Sequence, residues 1–346
     1  MSWMLLLSKK IINENNNNNK QRKNMNNFKK IGLTALAASL VSTSVFAGEM
    51  TATGAASVTA EGWSGSATNK ARALSMADSI TLGGSTELDN GMTVSMSFEL
   101  DGDDAGFDDR SVTISSDAIG TFKFSGHGGS TSASSVDGTA AGDLWDNFDG
   151  ASSVGGSTGV AVSAAPGGDN SVFYTLPSLM DGLAINASYR PNSSTAAETS
   201  SSVSYGVGYT GIEGLTINYA TANVETGTAS TSGDQDVMKV AYAYGPVTVA
   251  YSENEYDVDG TANDQDTDSW NVSYTLTDSI SVGYGTETIS TATTSEVDAE
   301  YSGVNASYTA GGMTVSAKMI DAENVAHGTG ASEDGEYWSL GLSFAF

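Results

Sequence analysis

The chain ends Trp338-Ser339-Leu340-Gly341-Leu342-Ser343-Phe344-Ala345-Phe346, where Trp338, Leu340, Leu342, Phe344 and Phe346 alternate strictly with small or polar residues. A period of two puts one set on each face of a β-strand. The same period recurs upstream. Met92, Val94, Met96, Phe98 and Leu100 alternate with Thr93, Ser95, Ser97 and Glu99. Leu215, Ile217 and Tyr219 repeat it, as do Met238, Val240, Tyr242 and Tyr244, then Trp270, Val272, Tyr274 and Leu276. Ile280, Val282 and Tyr284 follow, and after them Met313, Val315, Ala317 and Met319. No stretch after residue 47 sustains a helical period. Segments of about ten residues match a tilted strand crossing a bilayer.

The connections alternate as well. Short turn signals stand at Asp89-Asn90-Gly91, Asp117–Gly120, Pro177–Gly182, Gly211–Gly214, Gly245-Pro246, Thr277–Ser279 and Ala310–Gly312. Between them lie long polar stretches near 63–71, 101–109, 128–168, 191–200, 224–236, 255–268, 289–296 and 321–335. Seven short turns and eight long stretches make fifteen connections, hence sixteen strands. Putting every long loop at one end is the habit of an outer-membrane barrel, with short periplasmic turns and long extracellular loops. The expected fold is therefore all-β, a transmembrane antiparallel β-barrel. Sixteen strands enclose a lumen too wide for side chains to fill, so it holds water. The apolar set must then face lipid, and closure pairs every backbone group within the hydrocarbon. Tyr189, Tyr205, Tyr209, Tyr219, Tyr244, Tyr251, Tyr274, Tyr284 and Tyr308 suit the aromatic girdles at the two interfaces.

Charge narrows the function. The 346 residues hold 14 Lys+Arg, 41 Asp+Glu, 2 His and no Cys, with a formal net charge of −27. Without cysteine there is no disulfide framework, thiolate metal site or thiol nucleophile. The acidity repels phosphate backbones, so nucleic acid is not an expected partner. Seven of the 14 basic residues (Lys9, Lys10, Lys20, Arg22, Lys23, Lys29, Lys30) stand in residues 1–47, against the single acid Glu14. There Lys29-Lys30 precede an apolar run from Ile31 to Phe46 that ends in small residues, which reads as a secretory signal over 25–47 cut after Ala47. Residues 1–24, with the Asn15–Asn19 tract, read as an upstream extension, and 48–346 as the barrel.

The C-terminal strand ending in Phe resembles that of the Gram-negative general porins, of the alphaproteobacterial type. Arg110 with the Ser-Val-Thr-Ile-Ser that follows it, the turn Asp117–Gly120 and the run Thr121–Ser125 resemble the family's fourth strand, tight turn and fifth strand. The resemblance implies a passive diffusion channel for small hydrophilic solutes and ions, without catalysis, in the outer membrane of a Gram-negative bacterium. It implies a homotrimer, contact with outer-membrane lipid and lipopolysaccharide, and a C-terminus read by the outer-membrane assembly machinery. The assembly residues are Trp338, Leu340, Leu342, Phe344 and Phe346. It implies too that the third long loop, 128–168, folds inward and narrows the pore. That loop carries Asp137, Asp143, Asp146 and Asp149, with Trp145 and Phe148 as wall anchors. Arg110 and Lys123 are the basic residues expected at the same constriction. Parity adds Lys239, Lys318, Arg190 and Glu99 to the lumen side. Focused by a low-dielectric wall, the loop aspartates should make the channel cation-selective.

Other motifs have plainer readings. Gly206-Val207-Gly208-Tyr209-Thr210-Gly211 has the dinucleotide-binding spacing but lies in an alternating strand rather than a strand-to-helix turn. Asp257, Asp259, Asp264, Asp266 and Asp268 form a dense acidic stretch, read as a solvated extracellular loop that could bind Ca2+ weakly. No cofactor is expected otherwise. A secreted acidic all-β adhesin or surface-layer protein is the main competing class. A barrel hydrolase is the other, and it would need a Ser-His pair.

Overall fold

The computed structural model describes residues 50–64, 72–101, 109–148, 170–191, 201–225, 232–259, 264–292, 297–325, 327–329 and 333–346. The extension, the signal segment and its cleavage site lie outside them. The described residues form one closed barrel of sixteen strands, each hydrogen-bonded to its neighbours in the chain, with the first pairing the last. In order the strands are β1 (Met50–Ser64), β2 (Arg72–Glu87), β3 (Thr93–Asp101), β4 (Arg110–Ser116), β5 (Gly120–His127), β6 (Ser171–Thr175), β7 (Leu183–Arg190) and β8 (Ser201–Tyr209). Then come β9 (Leu215–Glu225), β10 (Gly233–Tyr244), β11 (Val247–Val258), β12 (Gln265–Thr277), β13 (Ile280–Thr291), β14 (Ala299–Ala310), β15 (Met313–Glu323) and β16 (Gly335–Ala345). Every ladder is antiparallel. The Gly-x-Gly pattern at Gly206 falls inside β8, as a strand and not a phosphate loop.

Closure reaches the last residue. Beyond the β1–β16 ladder, Gly54 and Phe346 exchange both backbone hydrogen bonds, at 2.7 and 3.0 Å. A side chain at Gly54 would collide with the Phe346 ring, so this position is kept bare. The short turns need left-handed backbone. Gly214, at φ 77°, joins β8 to β9 where a Cβ would meet the Ala243 carbonyl.

The two faces divide as the alternation requires. Val272, Tyr274, Val282, Tyr284, Val304 and Met319 are exposed on the outer face, while their alternates Ser273, Asn271, Ser281, Asn305 and Lys318 face inward. All nine girdle tyrosines share the outward parity. Trp270 and Tyr284 meet edge to face at 5.6 Å.

The strands run further than the apolar alternation. At the loop end the outer face turns acidic. Tyr219 is followed across the ladder by Asp236, to which its hydroxyl donates, and Tyr251 donates to Asp268 at 2.5 Å. The stretch 255–268, expected as a loop, is therefore mostly ladder: Glu255 pairs Asp266 and Glu253 pairs Asp268. Like charges opposite one another destabilise a sheet. They persist here because this part of the wall stands above the hydrocarbon, in water and salt. Asp257 lies on β11 and Asp266 and Asp268 on β12, while Asp264 accepts the Val258 N–H at 3.0 Å and Asp259 follows the end of β11. Among the described residues no three acidic or histidine side chains converge to hold a metal ion.

Candidate functional site

A segment between β5 and β6 lies against the inward face of the wall. Loop backbone has no ladder partners, and buried N–H groups without partners are costly. Here wall serines take them. Ser132 N–H donates to Ser188 Oγ of β7 at 2.9 Å, and Ala133 N–H to Ser204 Oγ of β8 at 2.8 Å. Ala140 N–H donates to Ser252 Oγ of β11 at 2.8 Å, and Ala141 N–H to Ser269 Oγ of β12 at 2.9 Å. Lys239 of β10 donates to the Gly138 carbonyl at 2.7 Å and the Thr139 carbonyl at 3.2 Å. Trp63 of β1 closes the circuit, its indole N–H donating to the Asn147 carbonyl at 2.8 Å.

The strongest anchor is Glu287 on β13, 1% exposed. Its carboxylate accepts from the Thr139 hydroxyl, from Leu144 N–H at 2.9 Å and from Trp145 N–H at 3.0 Å. Thr139 Oγ1 in turn accepts from Asp143 N–H at 2.8 Å, and Asp143 Oδ1 accepts from Thr139 N–H at 2.8 Å. This reciprocal clasp holds Asp143 at φ 52°. A 3-10 turn, Trp145–Asn147, follows.

Apolar packing completes the seat. Phe148 and Leu144 are 1% and 2% exposed and pack with Ile289, Tyr301, Ile320 and Tyr337. The Phe148 ring lies 5.7 Å from that of Tyr301 and 6.4 Å from that of Tyr337. Gly285 and Gly303 leave the space: a Cβ on the first would meet Ala141, and on the second Leu144. A second cluster sets Ala133 among Ala220, Ala222, Val224 and Tyr256.

The acids expected at the constriction differ in setting. Asp146 is exposed, whereas Asp137 and Asp143 are half-buried. Burial first, and then the Asp143 carboxylate, push Asp137 up to about 6. Asp149 lies outside the described residues. Phe148 is a wall anchor as expected, and Trp145 a half-buried one.

The basic residues divide. Lys123, Lys239, Lys318 and Arg190 have the inward parity, as does Glu99. Arg110 does not. It pairs Phe98 and shares the parity of Val112, which pairs Met96 and Phe124, and these residues face outward. Its side chain lies across Gly126. The expected place of Arg110 at the constriction is thus corrected. The motif similarity located its strand, but alternation from Val112 assigns it to the outer face.

Two groups of residues carry the seat without standing out in the sequence. One is the set of inward serines, which read only as water-facing. The other is the inward apolar set at the loop end of β9 and β13–β16. A signal for the second existed: in β15 the apolar parity of Met313, Val315, Ala317 and Met319 switches at Ile320 and Ala322, both buried.

The chain is similar in structure to the anion-selective porin of Comamonas acidovorans, with a TM-score of 0.66, 14% identity, and coverage of 86% of this chain and 99% of that one. A triple mutant of the Rhodopseudomonas blastica porin gives a TM-score of 0.59, 15% identity, and coverage of 86% and 100%. Another variant of that porin gives 0.60, 15%, 86% and 100%. Comparison with curated protein sequences finds no match. The family model described as Gram-negative porin matches residues 32–279. Most of the sequence, and the closed barrel with its inward loop, thus lead to one conclusion: the chain belongs to the Gram-negative porin family, barrel channels of the outer membrane.

Proposed function

We propose that the barrel is a water-filled diffusion channel for small hydrophilic solutes and ions, narrowed by loop 128–168 and selective for cations. The observation that carries this reading is the seating of residues 131–148 on the inner wall by groups of seven strands. On this reading Asp137, Asp143 and Asp146 stand at the constriction. Of the inward cations, Lys239 is engaged by loop carbonyls, Lys318 and Arg190 are half-buried, and Lys123 is exposed on β5. A carboxylate-rich constriction in a low-dielectric wall raises local cation concentration. The anion-selective Comamonas neighbour shares 14% of its residues with this chain, and selectivity resides in side chains that such identity does not carry over.

The finer features follow the same reading. The signal is removed near Ala47, three copies assemble, the C-terminal strand is read by the assembly machinery, and lipid with lipopolysaccharide surrounds the girdle. Reversal potentials in planar bilayers under a KCl gradient test the selectivity. A cation preference that is strong in dilute salt and fades in concentrated salt is the expected result, since the Debye length shrinks from ~30 Å at 0.01 M to ~3 Å at 1 M. An anion preference would overturn it.

A further inference from the structure

A groove crosses the outer wall over β12–β15. Tyr274, Tyr284, Val304 and Met319 stand around Ala306 and Ala317, and the space they line is about 570 Å3. Ordinary ligand sites measure ~300–1,000 Å3. The lining is almost wholly apolar. Its cause is local. Ala306 pairs Ala317 across β14 and β15, between the larger outward residues Val304 and Tyr308 on one strand and Val315 and Met319 on the other. Among the described outward pairs of β6–β16, this is the one place where two alanines face each other.

The groove has a depth in the membrane and a charge above it. Trp338 pairs Met319 at its rim, and Trp270 meets Tyr284 at the other end. Such rings sit at headgroup level, so the groove itself lies among acyl chains. Toward the loop end the next outward residues on β15 are Asp321 and Glu323. Asp321 pairs Glu336, and Glu323 pairs Glu300. All four carboxylates are exposed. Two residues at ~3.3 Å each put Asp321 about 7 Å along the strand from Met319. Among the described residues, the outward positions of β6–β16 hold no Lys or Arg.

We propose that the groove seats one acyl chain of an outer-leaflet lipid whose headgroup ends in an ammonium, and that Glu300, Asp321 and Glu323 receive that ammonium. The inference rests on the membrane-barrel reading and specifies which lipid this face selects. Removal from water drives nothing here, because acyl chains are as apolar as the wall; packing and headgroup contacts decide. The alanine notch supplies the packing. Glu300 and Glu323 stand opposite each other at a cost, which a cation between them offsets and an anionic headgroup increases.

Trp270 and Trp338 at the rim report on the site, since brominated acyl chains quench tryptophan on contact. The folded barrel is placed in vesicles of equal parts phosphatidylethanolamine and phosphatidylglycerol, with bromine on the chains of one lipid or the other. In dilute salt, quenching should be several-fold stronger when the ethanolamine lipid carries the bromine, and the excess should shrink in 1 M salt, where screening acts within ~3 Å. Glu300→Gln/Asp321→Asn/Glu323→Gln should bring the two lipids level. Ala306→Leu/Ala317→Leu, which fills the notch, should lose most of the ethanolamine excess. Equal quenching by the two lipids in wild type, stronger quenching by the glycerol lipid, or an excess unchanged in either variant would each overturn the proposal. So would rim tryptophans shielded from both lipids, which would place a second copy of the chain over the groove. Each variant is first checked for the heat-modifiable folded barrel. Conductance of the wild type is read separately, so failure here does not bear on the channel reading.

Discussion

Glu287 and Thr139 are separated by 148 positions of sequence, yet the threonine hydroxyl donates to the glutamate carboxylate inside the barrel. The same carboxylate receives two loop N–H groups. Each buried donor left without an acceptor costs about 1–3 kcal/mol. Glu287→Ala should therefore unseat the loop while the strands stay paired. Single-channel recordings are expected to show rapid flicker between conductance levels, with the heat-modifiable barrel unchanged. A trace as quiet as wild type would contradict this role for Glu287.

Phe148 tests the apolar half of the seat. Truncating a buried Phe costs about 3–5 kcal/mol through lost burial and the cavity left behind. Phe148→Ala should make the loop susceptible to proteases that leave the wild-type loop intact. Gly303→Val should act alike by crowding Leu144. Unchanged cleavage in both would show that polar contacts alone hold the segment.

Asp137 gives a pH dependence with a definite sign. Its folded value is raised from 3.8 to about 6 by burial and by Asp143, so the folded state binds the proton more tightly than the unfolded chain. Stability from this group thus falls as pH rises from about 4 to about 6 and is flat above. Function follows the charge: between pH 7 and pH 5 the loop loses negative charge, and cation preference should weaken. Asp137→Asn should flatten that response without weakening the seat at pH 7. A wild-type reversal potential that is constant from pH 7 to pH 5 would remove Asp137 from the selectivity account.

Asp146 is the exposed acid of the loop, so Asp146→Asn should lower cation preference at low salt with little effect on the seat. Preference identical to wild type in 0.01 M KCl, where screening is weakest at ~30 Å, would assign selectivity elsewhere.

Phe346 closes the β1–β16 seam through Gly54. Its deletion should reduce the yield of heat-modifiable barrel in the outer membrane without reducing synthesis. Equal yield would separate the closing ladder from recognition of the C-terminus.

The barrel was legible because its signal is repetitive: each strand states its outward face, as Trp270, Val272, Tyr274 and Leu276 do. Strand ends were less so. Asp266 and Asp268 look like loop in composition, yet they pair with β11, since ladder hydrogen bonds do not depend on which solvent the outer face meets. Motif position points Arg110 to the constriction, but the alternation through Val112 turns it to the outer face. Glu287 was hidden because one inward Glu among many acids carries no local mark. Only the three donors that the loop brings to it, from distant sequence, distinguish it.

The seating of the loop bears on the order of events during biogenesis. Most of its partners sit on strands made long after it, and Trp63 reaches it from the first strand, 84 positions away. Contacts of such sequence separation form late and slowly. On the proposed channel reading, a newly closed barrel should stay wide open until residues 131–148 settle. Each inserted copy should then begin as a brief leak that ends when one buried carboxylate finds its three donors.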